Sequence, residues 1–282
     1  MKYQVLKKRD IKRILPKREV NAHKGDFGRV LLLCGSKGYT GAAALAALGA
    51  LRCGAGIVYL GVPESIYAIE AGKLLEPVVF PLADENGMFA ASASEEIAKI
   101  LPQMNAVLIG PGIGRSEGTL TIVQYILENA DCPVILDADG INVISPHKDI
   151  LRGRKNQTIL TPHWGEFLRI YPDSPPNRVD AAVVFAKEYH CIVLLKGHNT
   201  VITDGVACFI NPTGNPGMAT GGSGDVLAGM IAALVGQGIT PLYATACGAW
   251  LHGYAGDICA KKLSQYGMLP QDMLQILPRL LP

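Results

Sequence analysis

A chain of 282 residues, 49% of them hydrophobic, is long enough to bury a sizeable core as one large α/β domain or two smaller ones. Its formal charge of +2, with acids and bases interspersed, leaves no footprint for nucleic acid or an anionic membrane, and neither partner is expected. The seven cysteines are scattered, odd in number and without a Cys-x-x-Cys pair, which reads as buried thiols in a reducing cytoplasm.

The start, Met1 to Val20, alternates lysine and arginine with isolated apolar residues and carries no apolar stretch of signal-peptide length. Short, wholly apolar runs then recur, each ending abruptly in glycine or a polar residue. They are Val30 to Leu33 before Cys34-Gly-Ser, Val107 to Ile109 before Gly110-Pro-Gly, and Val134 to Leu136 before Asp137-Ala-Asp. Ile159-Leu160 before Thr-Pro-His163 and Ile192 to Leu195 before Lys196-Gly continue the series. Segments with helical spacing separate the runs, so the pattern predicts parallel strands with crossover helices on both faces of a sheet. At Thr200 to Ile210 two β-rich stretches flank Asp204-Gly205, a dipeptide suited to a tight hairpin turn, so the late sheet is expected to be mixed. Ser223 to Val235 and Tyr243 to Ala260 carry helical apolar spacing and close the chain. No apolar window reaches the ~20 residues of a membrane span. No repeat or linker parts two domains, so residues 1–282 are expected to form one domain.

Polar residues cluster just beyond the predicted strands, and in an open parallel sheet ligands bind in the crevice outside the carboxyl ends of the strands. The strongest local motif is Thr220-Gly-Gly-Ser-Gly-Asp225-Val-Leu, a glycine turn running into an apolar helix. Its amides approach a phosphate closely and the helix start adds partial positive charge. Asp225 is placed to take the proton of a hydroxyl attacking a phosphoryl group, or simply to cap the helix. A Walker-type Gly-Lys-Ser or Gly-Lys-Thr is absent.

From His23-Lys-Gly-Asp-Phe-Gly onward, the order of segments resembles the ribokinase-like superfamily, and within it the ADP- or ATP-dependent NAD(P)H-hydrate dehydratases. The segments that carry the resemblance include Gly41-Ala42-Ala43, Gly110-Pro-Gly112-Ile-Gly114, Asp137-Ala-Asp139 and Thr161-Pro-His163-Trp-Gly165-Glu166. Lys196-Gly197-His-Asn-Thr200, Asn211-Pro-Thr-Gly-Asn215 and the Asp225 turn complete them. The sequence departs from the commonest pattern at Trp164, at Ser223 and at Gly140-Ile141. The resemblance implies a three-layer α/β/α sandwich with a mostly parallel central sheet, a hydro-lyase activity on hydrated NADH or NADPH, Mg²⁺, and ADP or ATP as co-substrate.

The resemblance also implies the site. Asp225 is the catalytic residue and touches substrate. Ala42, Gly112 and His163 border the hydrated dinucleotide, and Lys196, Gly197, His198, Asn199, Thr200 and Gly224 hold the nucleotide. Asn142, Glu166 and Asn211 are candidates for phosphate, ribose or magnesium-bound water, or for helix and turn caps, and no metal ligand is assigned. His252 and Asp257 read as core or surface polar groups. Related proteins suggest a homo-oligomer, and an epimerase for the other hydrate epimer is expected on a separate chain. A metabolite kinase of the same superfamily uses the same glycine-aspartate site, and a catalytically idle nucleotide-binding protein is the other alternative. The pairing of Thr161-Pro-His163-Trp-Gly-Glu with Asn211-Pro-Thr-Gly-Asn215 favours the dehydratase.

Overall fold

The computed structural model of the chain describes residues 2–282. The strands are β1 (Gln4–Val5), β2 (Arg29–Leu33), β3 (Ile57–Pro63), β4 (Val78–Leu82), β5 (Asp84–Glu85), β6 (Met88–Phe89), β7 (Ala106–Ile109), β8 (Val134–Leu136), β9 (Thr158–Leu160), β10 (Ile192–Leu195), β11 (Thr200–Thr203) and β12 (Cys208–Asn211). The α-helices are α1 (Lys8–Ile14), α2 (Thr40–Arg52), α3 (Glu64–Lys73), α4 (Ser94–Ile100), α5 (Glu117–Asn129), α6 (Asp139–Ile144), α7 (Trp164–Ile170), α8 (Arg178–Tyr189), α9 (Ser223–Gly236), α10 (Pro241–Gly267) and α11 (Pro270–Ile276). All but β5 and β6 join one ten-stranded sheet in the order β1-β12-β11-β10-β9-β8-β7-β2-β3-β4. Only the β10–β11 and β11–β12 pairs of that sheet are antiparallel, and β5 and β6 pair separately as a hairpin.

Residues alternate across each strand, and the wholly apolar runs therefore feed two cores. In β2, Val30 and Leu32 pack with α2, α9 and α10 on one face, while Leu31 and Leu33 pack with α5, α7 and α8 on the other. This is the three-layer α/β/α sandwich with a mostly parallel central sheet that the resemblance implied. Helix α9 is the most enclosed helix, with Val226 through Gly236 buried throughout. It crosses α2 at van der Waals distance because the contact points are glycines. A Cβ on Gly49 or Gly229 would overlap the Val226 or Ala46 carbonyl of the facing helix.

The expected tight turn at Asp204-Gly205 is instead a four-residue loop between Thr203 and Cys208. Asp204 Oδ1 accepts from Val206 N at 2.9 Å and Ala207 N at 2.8 Å, so the aspartate closes its own turn and spreads it over more residues. β1 pairs in parallel with β12, and this long-range addition to the sheet has no local sequence cue. Among the described residues, no helix is long and apolar enough to cross a membrane.

Candidate active site

Chain order along the sheet reverses at β2, which has β3 on one side and β7 on the other. A crevice opens at such a switch point because the two following loops diverge. Here the two loops are stitched together just beyond the strand ends. Gly35 N donates to Pro111 O at 2.8 Å, and the Ser36 hydroxyl donates to Gly112 O at 2.7 Å. Ala42, in the first turn of α2, meets Gly112 across this seam, and a Cβ on Gly112 would stand 2.8 Å from the Cβ of Ala42. Gly112 also has φ +63, a conformation that favours glycine.

A second opening, a cavity of about 860 Å³, lies beyond β10 and β12. Its polar wall is His163, Lys196, Gly197, His198, Asn199 and Thr200; its far wall is Thr213 to Pro216 and Met218 with Ala249, His252 and Gly253. Gly221, Ser223 and Gly224 form the inner edge. Asp225 belongs to the first turn of α9, next to Gly224 on the edge of this cavity. Its carboxylate is close enough to Lys196, on the cavity wall, and to Cys34, just after β2, for their charges to be felt.

The chain ends of β8, β9 and β10 bring a charged cluster to this border. Asp137, 1% exposed, accepts at Oδ1 from the Lys196 ammonium at 2.8 Å and from the Thr161 hydroxyl at 2.7 Å. Lys196 also lies 3.9 Å from Glu166 Oε2. A Cβ on Gly224 would stand 3.4 Å from Lys196 Nζ and 3.9 Å from Asp137 Oδ2, so the ammonium and the free carboxylate oxygen both face the glycine turn. Burial works to lower the Lys196 pKa, but Asp137, Glu166 and Asp225 together outweigh it and the pKa is raised. Burial and the neighbouring Asp137 push Asp225 up to about 6, with Lys196 opposing.

Asp225 does not cap α9. The N-cap is Gly222, at φ +93, and no side chain bonds the first amides of the helix. His163, by contrast, is a working cap: its Nδ1 accepts from Gly165 N at 3.0 Å and Glu166 N at 3.3 Å. Glu166 returns the contact by accepting from His163 N at 2.9 Å, closing a capping box. Asn211 lines the cavity, but its amide is committed to Ala249 O and its oxygen to Thr213, so it anchors the loop to α10. Asn142 lies outside the cavity, bonded to Arg169 and Asp139. Trp164 stacks on Phe167 at 5.7 Å and is not part of the cavity wall.

Sequence reasoning left out several residues that the fold brings here. Asp137 ends a strand, and the strand-end rule that selected Lys196 applies equally to it. His252 lines the cavity from within α10, where burial pulls its imidazole down to about 4. Its cue is the series Ala249, Gly253, Gly256, which opens one face of α10 to the cavity and to Met218. Asp257 accepts from Gly214 N and from Asn215 Nδ2, both at 3.1 Å, and so fixes the loop after β12.

A ribokinase-like sandwich whose buried helix presents its first amides to a cavity between strand ends is the class that fold and site define together. A family model described as NAD(P)H-hydrate dehydratase matches residues 30–279, and the chain belongs to this family. It is 42% identical over 274 residues to the bifunctional NAD(P)H-hydrate repair enzyme of Moorella thermoacetica, covering 95% of this chain and 52% of that one. The chain thus spans about half the length of such curated relatives. The ADP-dependent (S)-NAD(P)H-hydrate dehydratase of Bacillus subtilis is 34% identical over 276 residues, covering 95% of this chain and 94% of the other. The crystal structure of the ADP/ATP-dependent NAD(P)H-hydrate dehydratase from Bacillus subtilis, co-crystallized with ATP/Mg²⁺, superposes with a TM-score of 0.85 at 32% identity. That match covers 99% of this chain and 98% of that one.

Proposed function

We propose that the chain is a nucleotide-dependent hydro-lyase that restores NADH or NADPH from the S epimer of its hydrate, with ADP or ATP as phosphoryl donor. The observation that carries the reading is the Asp225 carboxylate. It does not cap α9, it stands beside Lys196 and next to Gly224 on the cavity edge, and its pKa is raised to about 6, which suits a base near neutral pH. The hydrate lies in the crevice bordered by Ala42 and Gly112 and reaches His163. The nucleotide lies in the cavity with its phosphates on Lys196 to Thr200 and Gly224.

Hydroxide is a poor leaving group, and the chemistry answers that by phosphorylation. Asp225 takes the proton of the ring hydroxyl as its oxygen attacks the terminal phosphorus, and the bond to the leaving nucleotide breaks, releasing AMP from ADP or ADP from ATP. The ring nitrogen's lone pair then expels phosphate, and loss of the neighbouring carbon's proton restores the double bond. Lys196 and the amides of the glycine turn stabilise the charge on the transferring group.

The residues fit a Mg²⁺ bound with the phosphates. Asp137 Oδ2 and Glu166 offer hard oxygen donors beside Lys196, and among the described residues no cluster of three or more ligating side chains makes an all-protein cage. The ion would neutralise phosphate charge as the terminal group transfers. Residues 1–282 are proposed to act as one unit in the cytoplasm. All seven cysteines are free and buried, which suits a reducing compartment. Self-association and a separate epimerase partner belong to the same proposal; the longer relatives, named bifunctional, support a companion activity.

The test is the dihydronicotinamide absorbance of NADH hydrate incubated with protein, Mg²⁺ and either ADP or ATP. Recovery that depends on nucleotide is the expected result and names the donor. No recovery with either, from folded protein and authentic hydrate, refutes the dehydratase, and a screen of small alcohols then tests the kinase reading.

A further inference from the structure

The segment Lys196 to Thr200 is neither helix nor strand up to Asn199, yet it forms the polar wall of the cavity. Such a loop holds a shape only if its carbonyls are satisfied away from the ligand. Behind it stands Arg178, the first residue of α8, whose N-terminus is already capped by Asn177 accepting from Val179 N and Asp180 N. The arginine is therefore free for another task. Its Nη2 donates to Leu195 O at 3.0 Å and Lys196 O at 2.8 Å, and its Nη1 donates to His198 O at 3.0 Å. The remaining carbonyl, Gly197 O, accepts from the Thr200 hydroxyl at 2.8 Å. Every carbonyl from Leu195 to His198 is thus held on the protein side.

The amides show the complementary pattern. Among the described residues, those of His198 and Asn199 donate to no protein acceptor, and the chain turns here through positive φ at Gly197 (+147) and Asn199 (+53). The position is glycine for a physical reason as well: a Cβ on Gly197 would stand 2.8 Å from the Arg178 guanidinium.

We propose that Arg178 is a positioning residue for the phosphoryl donor, acting through the Lys196–Thr200 loop without touching the ligand. By binding three carbonyls on the rear face it turns the amides of His198 and Asn199 toward the cavity and places Lys196 against Asp137. The inference rests on the cavity being the nucleotide site. It assigns the nucleotide's phosphates to loop amides whose geometry a residue outside the cavity lining controls.

The experiment compares wild type, Arg178→Lys and Arg178→Ala by direct titration with ADP and ATP in Mg²⁺, by steady-state kinetics against both substrates, and with millimolar guanidinium chloride added. In the alanine variant nucleotide affinity is expected to fall about tenfold or more, with KM for the hydrate within about twofold and kcat at saturation falling by less than the affinity does. Added guanidinium is expected to recover part of that affinity in the alanine variant and none in wild type. Lysine, which cannot present the planar fork to three carbonyls, is expected to retain only part of it. Near-UV circular dichroism establishes that each variant is folded; if the alanine variant is not, the lysine variant carries the test. Unchanged nucleotide affinity in a folded variant, or a loss in kcat alone, overturns the inference. Failure of the wild type to bind either nucleotide would instead overturn the assignment of the cavity itself.

Discussion

Replacing Asp225 with asparagine should make the protein more stable while abolishing turnover, and the gain should depend on pH in a way fixed by the site. The carboxyl titrates at about 6 in the folded chain against an ordinary 3.8, a difference of about 2 pH units. At roughly 1.36 kcal/mol per unit, the ionised group costs the folded state about 3 kcal/mol at neutral pH, an upper bound. The sign follows from proton uptake. A carboxyl raised in the folded state favours folding fully below pH 3.8, and that contribution is lost as pH rises through about 6. Asparagine is neutral throughout, so its advantage should be absent near pH 4 and complete above about pH 7. At roughly 2 °C per kcal/mol for a chain of this size, the melting temperature at pH 8 should rise by about 5 °C. Thermal unfolding of both proteins at pH 5 and pH 8, with hydrate turnover measured alongside, checks both halves. A variant less stable at pH 8, or a gain equal at both pH values, would refute the account of Asp225 as a desolvated, repelled carboxylate.

The remaining predictions follow from the same geometry. Turnover should lose activity on the acid side with a midpoint near pH 6 as Asp225 is protonated, and a His252→Asn variant should leave that midpoint in place, because the imidazole is already neutral down to about pH 4. A shift of the midpoint in that variant would assign the titration to the histidine. Arg154→Ala should lower stability by about 2–4 kcal/mol, seen as a reduced denaturation midpoint. Its guanidinium donates to the carbonyls of Ile126, Leu127, Ala130 and Cys132 at the end of α5, all left without that donor by the change. Ala138→Gly should raise stability by about 1 kcal/mol, since Ala138 holds φ +47 and ψ −115 between Asp137 and Asp139, a conformation in which its Cβ is strained. A loss of stability there would show that the turn is not strained in solution.

The parts of the fold legible in the sequence are those in which one residue type serves one local purpose. Val134-Ile-Leu136 and Ile192 to Leu195 read as buried strands because a strand covered on both faces has no polar position to offer. The start of α9 at Ser223 was legible because a glycine turn running into a long apolar segment marks a helix N-terminus. Features built from distant backbone were not legible. β1 joins the sheet beside β12, roughly two hundred residues away, through main-chain bonds that any extended dipeptide can make. Arg178 looks like an ordinary exposed charge at a helix start, and its role depends on carbonyls that arrive from the other end of α8. Asp204-Gly205 misled because the turn rule counts dipeptides, whereas the aspartate side chain here accepts two amides and lengthens the turn.

The site holds Asp137, Glu166 and Asp225 around a single ammonium, Lys196, and is expected to receive a polyanion. By charge alone that is unfavourable, and three features of the structure offset it. The glycine turn supplies uncapped amides at the start of a helix buried along nearly its whole length, where their field is weakly screened. Arg178 commits the loop carbonyls to the rear, so the surface met by the phosphates is donor-rich although the nearby side chains are acidic. Asp137 divides its oxygens, Oδ1 to Lys196 and Thr161 and Oδ2 toward the glycine turn, leaving one donor for a divalent cation arriving with the nucleotide. Each anionic partner therefore needs the other components in place, and the raised pKa of Asp225 follows from its burial first and from the neighbouring Asp137 second. The burial and the Asp137 charge that destabilise the folded chain give the carboxylate its affinity for a proton, the property a base needs when a hydroxyl attacks phosphorus.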